Sequence, residues 1–318
     1  MKISSTCKSS VSTNRLLHSP EGEYNSCVRM SSEQMFIFIE GPKDDIFYKS
    51  ICECALKDLG ITYKVKYGHG KKRMLDIFSY LESKNKLSTV FDSTKKAFFF
   101  FLDKDVDDLT NKLIKNEHIS YTEHHSVENY YFLYGDLAKS ISFSIGLHIS
   151  SINDSALRDN NSWTYNVAEK WKEWVELCLL AALKIPECKN YHSYRSAIHK
   201  SLDESIDQRR KAKMEWKLLK KANIAKQEFD KIKLDAQNLV NQQYVSGQHS
   251  KIFKGKWYCG FLCNDAEKIA QIHGVYSKRS KKHLSELLVS HLVSSLCYDD
   301  QWANVFKLPI RKIAEKLI

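Results

Sequence analysis

The sequence AFFFFLDKDVDD, residues 97–108, indicates what kind of fold this chain adopts. Its first six residues form an unbroken apolar run of strand length. Such a run is typical of a strand buried on both faces, as the central strands of parallel sheets are. Carboxylates follow at alternate positions, Asp103, Asp105 and Asp107, with Asp108 beside them. The stretch therefore predicts a central strand that leads into an acidic loop.

The segments around this strand alternate between strand patterns and helix patterns. Residues 35–40 (MFIFIE) form a second apolar strand pattern, which ends at Gly41-Pro42. Such alternation with short connections predicts right-handed crossovers and a mainly parallel sheet flanked by helices. Further strand patterns occupy residues 61–67 and 119–122, and helical spacing occupies residues 44–59, 71–81 and 127–137.

Composition divides the chain into three parts. Residues 1–33 are polar and aperiodic, and we expect a partly mobile leader there. Residues 34–150 carry the α/β pattern. From residue 151 to residue 318 the strand patterns fade and long helical patterns follow. The sequence therefore predicts an α/β domain followed by a basic, largely α-helical C-terminal region.

Positive charge is concentrated in the C-terminal half of the chain. The formal net charge is +11. Residues 195–233 hold twelve Lys and Arg against six Asp and Glu, and residues 251–283 hold eight against two. Basic clusters of this kind favour a polyanionic partner, with a solvated helix surface as the alternative. We expect nucleic acid, either RNA or DNA, as that partner.

The N-terminal region has no continuous apolar segment of the signal-peptide kind, and no run reaches the roughly 18 apolar residues of a membrane span. We therefore expect a cytoplasmic protein that has no membrane partner. Its nine cysteines are expected to be reduced thiols.

Carboxylates follow two strand patterns that lie far apart in the sequence. Glu40 ends the first pattern, and Asp103 and Asp105 follow the central one. In parallel sheets the binding crevice lies beyond the carboxyl ends of the strands, so these side chains are expected to meet there. Carboxylate oxygens suit Mg²⁺, and Mn²⁺ is a possible substitute. Solvated turns and helix caps are the alternative explanation for such aspartates.

Three short motifs resemble those of TOPRIM nucleases. Residues 38–45 (FIEGPKDD) resemble the first TOPRIM motif, and residues 101–108 (FLDKDVDD) resemble the second, Asp-x-Asp. Residues 125–130 (HSVENY) are similar to a segment of one TOPRIM-like subfamily. That subfamily was long catalogued as a domain of unknown function, is allied to the OLD family and includes an effector of the PARIS anti-phage system. Pro42 departs from the small or polar residue that is commoner in the first motif.

The resemblance implies a role for each matching acid. Glu40 would serve as metal ligand or general base, and Asp103 and Asp105 would bind Mg²⁺. Asp107 corresponds to a third acid of some members, and Glu128 to the acid of the third motif, facing the same crevice. Asp44 corresponds to the acid after Glu-Gly, with Asp45 as the alternative. For Glu128, an exposed position in the first turn of a helix is the competing interpretation.

Basic side chains near these motifs are candidate phosphate contacts. Gly68-His69-Gly70 precedes a helical pattern, and a turn of this kind can present N–H groups to a phosphate. A turn followed by a solvated helix face explains the same pattern. Lys254 and Lys256 stand beside aromatic residues, a pairing that suits unpaired nucleic acid. The candidate nucleic-acid contacts are Lys71, Lys72, Arg73, Lys254 and Lys256.

The expected function is a Mg²⁺-dependent endonuclease of toxin type in antiviral defense, which cleaves phosphodiester bonds in DNA or RNA. Family analogy makes tRNA a possible substrate. The chain has no Walker A motif, so an ABC-type ATPase partner is expected to control it, and a homodimer is possible. Two alternatives stay open. One is a phosphotransferase of the haloacid dehalogenase type that uses Asp103, and the other is a non-catalytic TOPRIM-like binding module.

Overall fold

Five strands form one sheet in this computed structural model, which describes residues 18–152, 155–184, 207–275 and 280–318. They are β1 (Met35–Ile39), β2 (Tyr63–Tyr67), β3 (Ser88–Phe91), β4 (Thr94–Leu102) and β5 (Ile119–Tyr121). β1 lies between β2 and β4 and is parallel to both, and β5 is parallel to the end of β4. The predicted mainly parallel sheet is confirmed.

The phenylalanine run explains why β4 is central. Successive strand residues point to opposite faces of a sheet. Phe99 and Phe101 pack into the larger apolar core, and Phe98 and Phe100 pack into a smaller core on the other face. All four side chains are fully buried. An apolar residue at every position, rather than at every second one, is what burial on both faces requires.

Helices cover both faces of the sheet. Their bounds are α1 (Pro20–Arg29), α2 (Asp45–Leu56), α3 (Lys71–Ser83), α4 (Glu128–Tyr134), α5 (Leu137–Ile145), α6 (Asn160–Lys170), α7 (Lys172–Lys184), α8 (Gln208–Ala222), α9 (Lys226–Val245), α10 (Gly255–Ile272), α11 (Lys281–Ser294) and α12 (Asn304–Glu315). α1 and α3 enclose the smaller core, and α2 and α12 pack together on the other face. Among the described residues, no helix is both long and apolar enough to cross a bilayer.

Two local expectations were wrong. Residues 20–29 of the predicted aperiodic leader form α1, whose Cys27 and Val28 are buried against the sheet. Ser19 caps this helix and Pro20 begins it, and both are favourable at a helix start. The expected alternation of strand and helix also fails, because β3 and β4 form an antiparallel hairpin and residues 103–118 join β4 to β5 without a helix.

The C-terminal helices share a core with the sheet. One apolar cluster contains Phe99 and Phe101 of β4, and also Trp171, Phe261 and Phe306 from the helical region. α12 returns to the sheet and contacts both β4 and β5. Trp163, Trp171 and Trp174 are buried in this core, as expected of large aromatic side chains. The last helices therefore help to hold the strands that carry the acidic residues.

Candidate active site

Glu40 and Asp103 meet at the carboxyl edge of the sheet. β1 and β4 are parallel neighbours, paired from Met35–Ala97 to Phe38–Phe100, so both chains leave the sheet at the same edge. The Asp103 backbone N–H donates a hydrogen bond to Glu40 Oε1 at 3.2 Å. The predicted convergence of these two segments is thus present in the structure.

The start of α4 brings Glu128 to the same place. The Val127 N–H donates to Asp103 Oδ1 at 2.9 Å, which ties the loop before α4 to the end of β4. The Asn129 Oδ1 accepts from the Ser126 N–H at 3.0 Å, and its Nδ2 donates to Phe253 O at 2.9 Å. The segment 125–130 is therefore a junction that joins β4, α4 and the start of α10.

α10 reaches this junction because its first residue is glycine. A Cβ at Gly255 would lie 2.5 Å from the Asn129 backbone nitrogen and 2.8 Å from the Glu128 carbonyl carbon. No larger residue fits without moving one of the helices. The next residue, Lys256, forms an ion pair with Glu128, with 3.2 Å between Nζ and Oε1. Glu128 thus lies beside Asp103 and Asp44, and Lys256 is its ion-pair partner.

Asp44, rather than Asp45, belongs to the acidic cluster. Asp44 closes the short 3-10 turn Pro42–Asp44, where it is half-buried beside Glu128 and Glu40. Asp45 instead pairs with Lys49 one turn along α2, with 2.7 Å between Oδ2 and Nζ. The motif left both Asp44 and Asp45 possible, and these contacts place Asp44 with the other acids.

Lys71 lies among the acids of the second motif. Its Nζ is 2.9 Å from Asp105 Oδ2 and 2.6 Å from Asp107 Oδ2, and it also donates to the Asp103 carbonyl. The preceding turn is fixed by Gly70, which has φ of +102° and donates its N–H to Glu40 O at 2.9 Å. That conformation is available to glycine at little cost. Lys71 is therefore held inside the cluster.

The other candidate basic residues have different surroundings. Arg73 pairs with Glu23 and donates to the carbonyls of His18 and Gly68, so its guanidinium ties α3 to α1. Lys72 is exposed. Lys254 is close enough to Asp105 to help lower the pKa of that carboxyl. The predicted Lys71–Lys72–Arg73 set thus does not form three equivalent phosphate contacts.

The carboxylates raise one another's pKa. Burial, followed by the charges of Glu128, Glu40, Asp105 and Asp44, raises the pKa of Asp103 well above its usual value. Burial and Glu128 raise the pKa of Asp44 to about 7. Asp105 is the exception: burial opposes ionisation, but His125 and Lys71 lower the pKa of its carboxyl. A concentration of buried negative charge like this is stabilised by a nearby cation.

Two buried oxygens at the cluster have no hydrogen-bond partner among the described residues. They are Glu128 Oε2 and the Tyr131 hydroxyl. Tyr131 is 2% exposed, and burial, followed by the charges of Asp44, Glu128 and Asp103, raises the pKa of its hydroxyl. Unsatisfied buried polar atoms are uncommon and often indicate an absent water or ion. Sequence reasoning missed Tyr131, although it directly follows the third motif.

Asp105 adopts a backbone conformation that few residues take. Its φ is +54°, in the left-handed region, where aspartate is better tolerated than most residues. Its N–H donates to His125 O at 2.7 Å, which fixes the turn against the junction before α4. The Asp-x-Asp loop is thus held on two sides, by Lys71 and by residues 125–127.

The acidic cluster offers the kind of ligand that a divalent cation needs. Hard cations such as Mg²⁺ take oxygen ligands, which Glu40, Asp44, Asp103 and Glu128 offer. Within the described residues, no three acidic, histidine or cysteine side chains already stand in a complete metal-holding arrangement. Among these four, Glu128 is paired with Lys256, and Asp103 and Glu40 each accept a backbone N–H, while Lys71 holds the neighbouring Asp105 and Asp107. The chemistry of the residues fits a hard cation, with some acids engaged by lysines.

Fold and site together define a class: an α/β protein with a cluster of acidic side chains at the carboxyl edge of a mainly parallel sheet. The sequence matches no protein-family model and none of the curated proteins with which it was compared. The acidic cluster and its surrounding cations are therefore the features of this chain that bear on its function.

Proposed function

We propose that this chain is a Mg²⁺-dependent nuclease of the TOPRIM-like type, which cleaves phosphodiester bonds in nucleic acid. The observation that carries the proposal is the contact between Glu40 and Asp103 at the ends of adjacent parallel strands. Asp44 and Glu128 stand beside that pair, as the motif resemblance implies. Acids brought together from three distant segments are hard to explain as separate solvated turns.

Each residue of the crevice has a part in this proposal. A bound cation would supply positive charge to a phosphate and withdraw charge from the oxygen that leaves. Glu40 serves as a ligand or as the general base that takes a proton from the attacking water. Glu128 and Asp103 would be ligands of that cation. Lys256, next to Glu128, supplies positive charge for the scissile phosphate.

The biological setting is proposed from the motif resemblance alone. Members of the TOPRIM-like subfamily allied to the OLD family occur beside ABC-type ATPases in anti-phage systems. We propose that this chain is an effector of that kind, cytoplasmic and controlled by an ATPase partner. RNA, including tRNA, and DNA are both candidate substrates.

Amide substitutions test the nuclease directly. Glu40→Gln and Asp103→Asn should each lower Mg²⁺-dependent cleavage of RNA or DNA by at least about 100-fold, because each removes a charge from the crevice. Asp92→Asn and Glu53→Gln are matched controls, exposed residues of the β3–β4 turn and of α2. Mg²⁺ should also raise the melting temperature of the wild type more than that of Asp103→Asn.

The outcomes separate the proposal from its rivals. Sequencing of cellular RNA and DNA ends after expression, wild type against Glu40→Gln, would identify the substrate. Cleavage unchanged by both amide variants removes the nuclease assignment. Fluoroberyllate trapped on Asp103 would instead indicate a phosphotransferase. Partner binding that survives every acid-to-amide change, without cleavage of any nucleic acid, would indicate a binding module.

A further inference from the structure

One helix of the C-terminal region carries most of its charge on a single exposed face. α8 contains seven Lys and Arg residues and one acid, Glu215. Glu215 turns to Lys233 of α9, with 2.8 Å between Oε2 and Nζ. Lys211 turns inward as well, and pairs with Glu173 of α7. The exposed surface of α8 is consequently left with cations alone.

The exposed cations line up along the helix axis. The α8 stripe consists of Arg209, Lys213, Trp216, Lys217 and Lys220, all of them exposed. These positions fall within an arc of about 100° on a helix with 3.6 residues per turn, over a length of roughly 16 Å. None of the four cations forms an ion pair with another described residue, so their charge faces solvent.

An aromatic ring lies in the middle of the stripe. Trp216 is 55% exposed, and Lys220 Nζ stands 3.9 Å from the centre of the ring. Trp171 and Trp174, by contrast, are fully buried. A ring held by one cation and flanked by others offers a stacking surface for a base next to contacts for its phosphates.

Three of the cations close to the acidic cluster are already engaged. Lys71 is held by Asp105 and Asp107, Arg73 by Glu23, and Lys256 by Glu128. A single strand several nucleotides long needs more cations than remain here, so we expect exposed cations elsewhere on the molecule to hold part of its backbone. The α8 stripe supplies them without breaking an existing pair.

We propose that the α8 stripe is a binding site for the backbone of single-stranded nucleic acid, with Trp216 stacking on an unpaired base. A membrane surface suits this helix poorly, because its buried Leu218 and half-buried Met214 and Leu219 face the protein core. The inference rests on the proposed nuclease function, which it deepens by naming how substrate is held away from the crevice.

Binding without cleavage tests the site. The probe is a fluorescein-labelled single-stranded RNA of about 16 nucleotides, titrated with the full chain in EDTA and followed by anisotropy. The variant Arg209→Gln/Lys213→Gln/Lys217→Gln keeps helix propensity and should bind at least tenfold more weakly. Its plot of log K against log salt should be shallower by about 2, since each lost phosphate contact removes about 0.7.

The matched control removes the same charge elsewhere. Lys57, Lys84 and Lys115 are exposed residues outside α8 and outside both basic clusters, and their triple glutamine variant should bind like the wild type. Trp216→Leu should weaken binding of the single strand by roughly 5-fold or more and leave binding of a duplex of the same sequence unchanged. The stripe is the wrong site if the α8 triple variant binds as tightly as the control.

Failure of this proposal differs from failure of the nuclease proposal. Asp103→Asn should retain the wild-type affinity for RNA in EDTA while it loses cleavage. RNA binding through α8 without cleavage by the wild type would overturn the proposed nuclease function and support the proposed α8 binding site. Cleavage that requires Asp103 but is unchanged by the α8 triple variant would overturn the proposed α8 binding site. Binding of phosphatidylserine vesicles through α8, without RNA binding, would also overturn it.

Discussion

Lys71 places its positive charge between two carboxylates of the second motif. Its ammonium lies within 3 Å of Asp105 and Asp107, and 17% of its side chain is exposed. Replacing it by methionine keeps the length of the chain and removes the charge. The two acids then repel each other in a half-buried setting, where Asp107 has lost its cation and Asp105 keeps only the weaker influence of His125 and Lys254.

We therefore expect Lys71→Met to lower the free energy of unfolding by roughly 3 kcal/mol in EDTA. Mn²⁺ should restore more of the stability of the variant than it adds to the wild type, because it replaces the lost charge. Urea unfolding with and without Mn²⁺ measures both effects. The neighbouring exposed Lys72→Met is the control. Equal stability of the two variants in EDTA would show that Lys71 does not neutralise the acids.

Gly255 controls how closely α10 approaches α4. A methyl group there would meet the backbone of Glu128 and Asn129 at under 3 Å. Gly255→Ala should lower the free energy of unfolding by about 1–3 kcal/mol, the usual range for overpacking. It should also lower cleavage, since Glu128 and Lys256 shift while every acid is retained.

A second glycine next to the site gives the control for that substitution. Gly41 has extended backbone angles and nothing within 4 Å of an added Cβ, so Gly41→Ala should leave the melting temperature unchanged. Thermal unfolding of both variants, together with a cleavage assay, tests the predicted effects on stability and activity. A fully stable and active Gly255→Ala protein would contradict the close contact.

The sequence predicted part of this site for a definite physical reason. Glu40 and Asp103 could be placed together because both follow apolar strands, and parallel neighbours end at one edge. The role of Lys71 could not be predicted, since its pairing depends on the exact turn at Gly70 and on the left-handed conformation of Asp105. Tyr131 was missed because burial of one hydroxyl leaves no sequence pattern.

Among the secondary-structure elements, α1 is attached to the sheet by a buried ion-pair cluster. Glu23 is 7% exposed and pairs with both Lys66 of β2 and Arg73 of α3. Burial alone would raise the pKa of Glu23, but Lys66 and Arg73 lower it below its usual value of 4.5. The charged form of Glu23 therefore stabilises the docked helix.

Glu23→Gln should lower the free energy of unfolding by roughly 3 kcal/mol at neutral pH, because it leaves two half-buried cations without their buried acid. The lowered pKa also fixes the sign of the pH effect. The contribution of Glu23 is fully present above about 4.5 and is lost as the pH falls below it. The wild type should therefore lose its advantage over the variant on acidification. Urea unfolding at pH 7 and pH 4 measures this, with exposed Glu21→Gln as the control.

Elements differed in how well the sequence revealed them. β1 and β4 were predicted because burial on both faces demands unbroken apolar runs. β3 was missed because this edge strand (STVF) is partly exposed and mixes polar with apolar residues. α1 was missed because its sequence is mostly polar and only its docking on α3 buries Cys27 and Val28.

At the scale of the whole molecule, the sheet and the C-terminal helices meet at what we call the histidine junction, formed by His124, His125, His249 and Ser250. The His125 N–H donates to Ser250 O at 2.9 Å, and His124 Nδ1 lies 2.9 Å from the Ser250 hydroxyl. His249 is 4% exposed between the rings of Tyr165 and Tyr244. No sequence pattern showed this junction, because its members lie more than 120 residues apart.

Burial lowers the pKa of His249 to about 4, from a usual value of 6.5. A histidine whose pKa is lower in the folded state binds fewer protons there than in the unfolded state. Its contribution to stability is therefore fully present above pH 6.5 and is lost as the pH falls toward 4. Since one pKa unit corresponds to about 1.4 kcal/mol, His249 should account for about 2 kcal/mol lost between pH 7 and pH 5.

His249→Gln removes the titrating group, so the free energy of unfolding of this variant should fall less over that interval than that of the wild type. The exposed His283→Gln serves as the matched control and should follow the wild-type dependence. Urea unfolding at pH 7, 6 and 5 provides the comparison. Parallel pH profiles for all three proteins would mean that the pKa of His249 is the same in the folded and unfolded states, and thus that the junction between the sheet and the helical region is open to water.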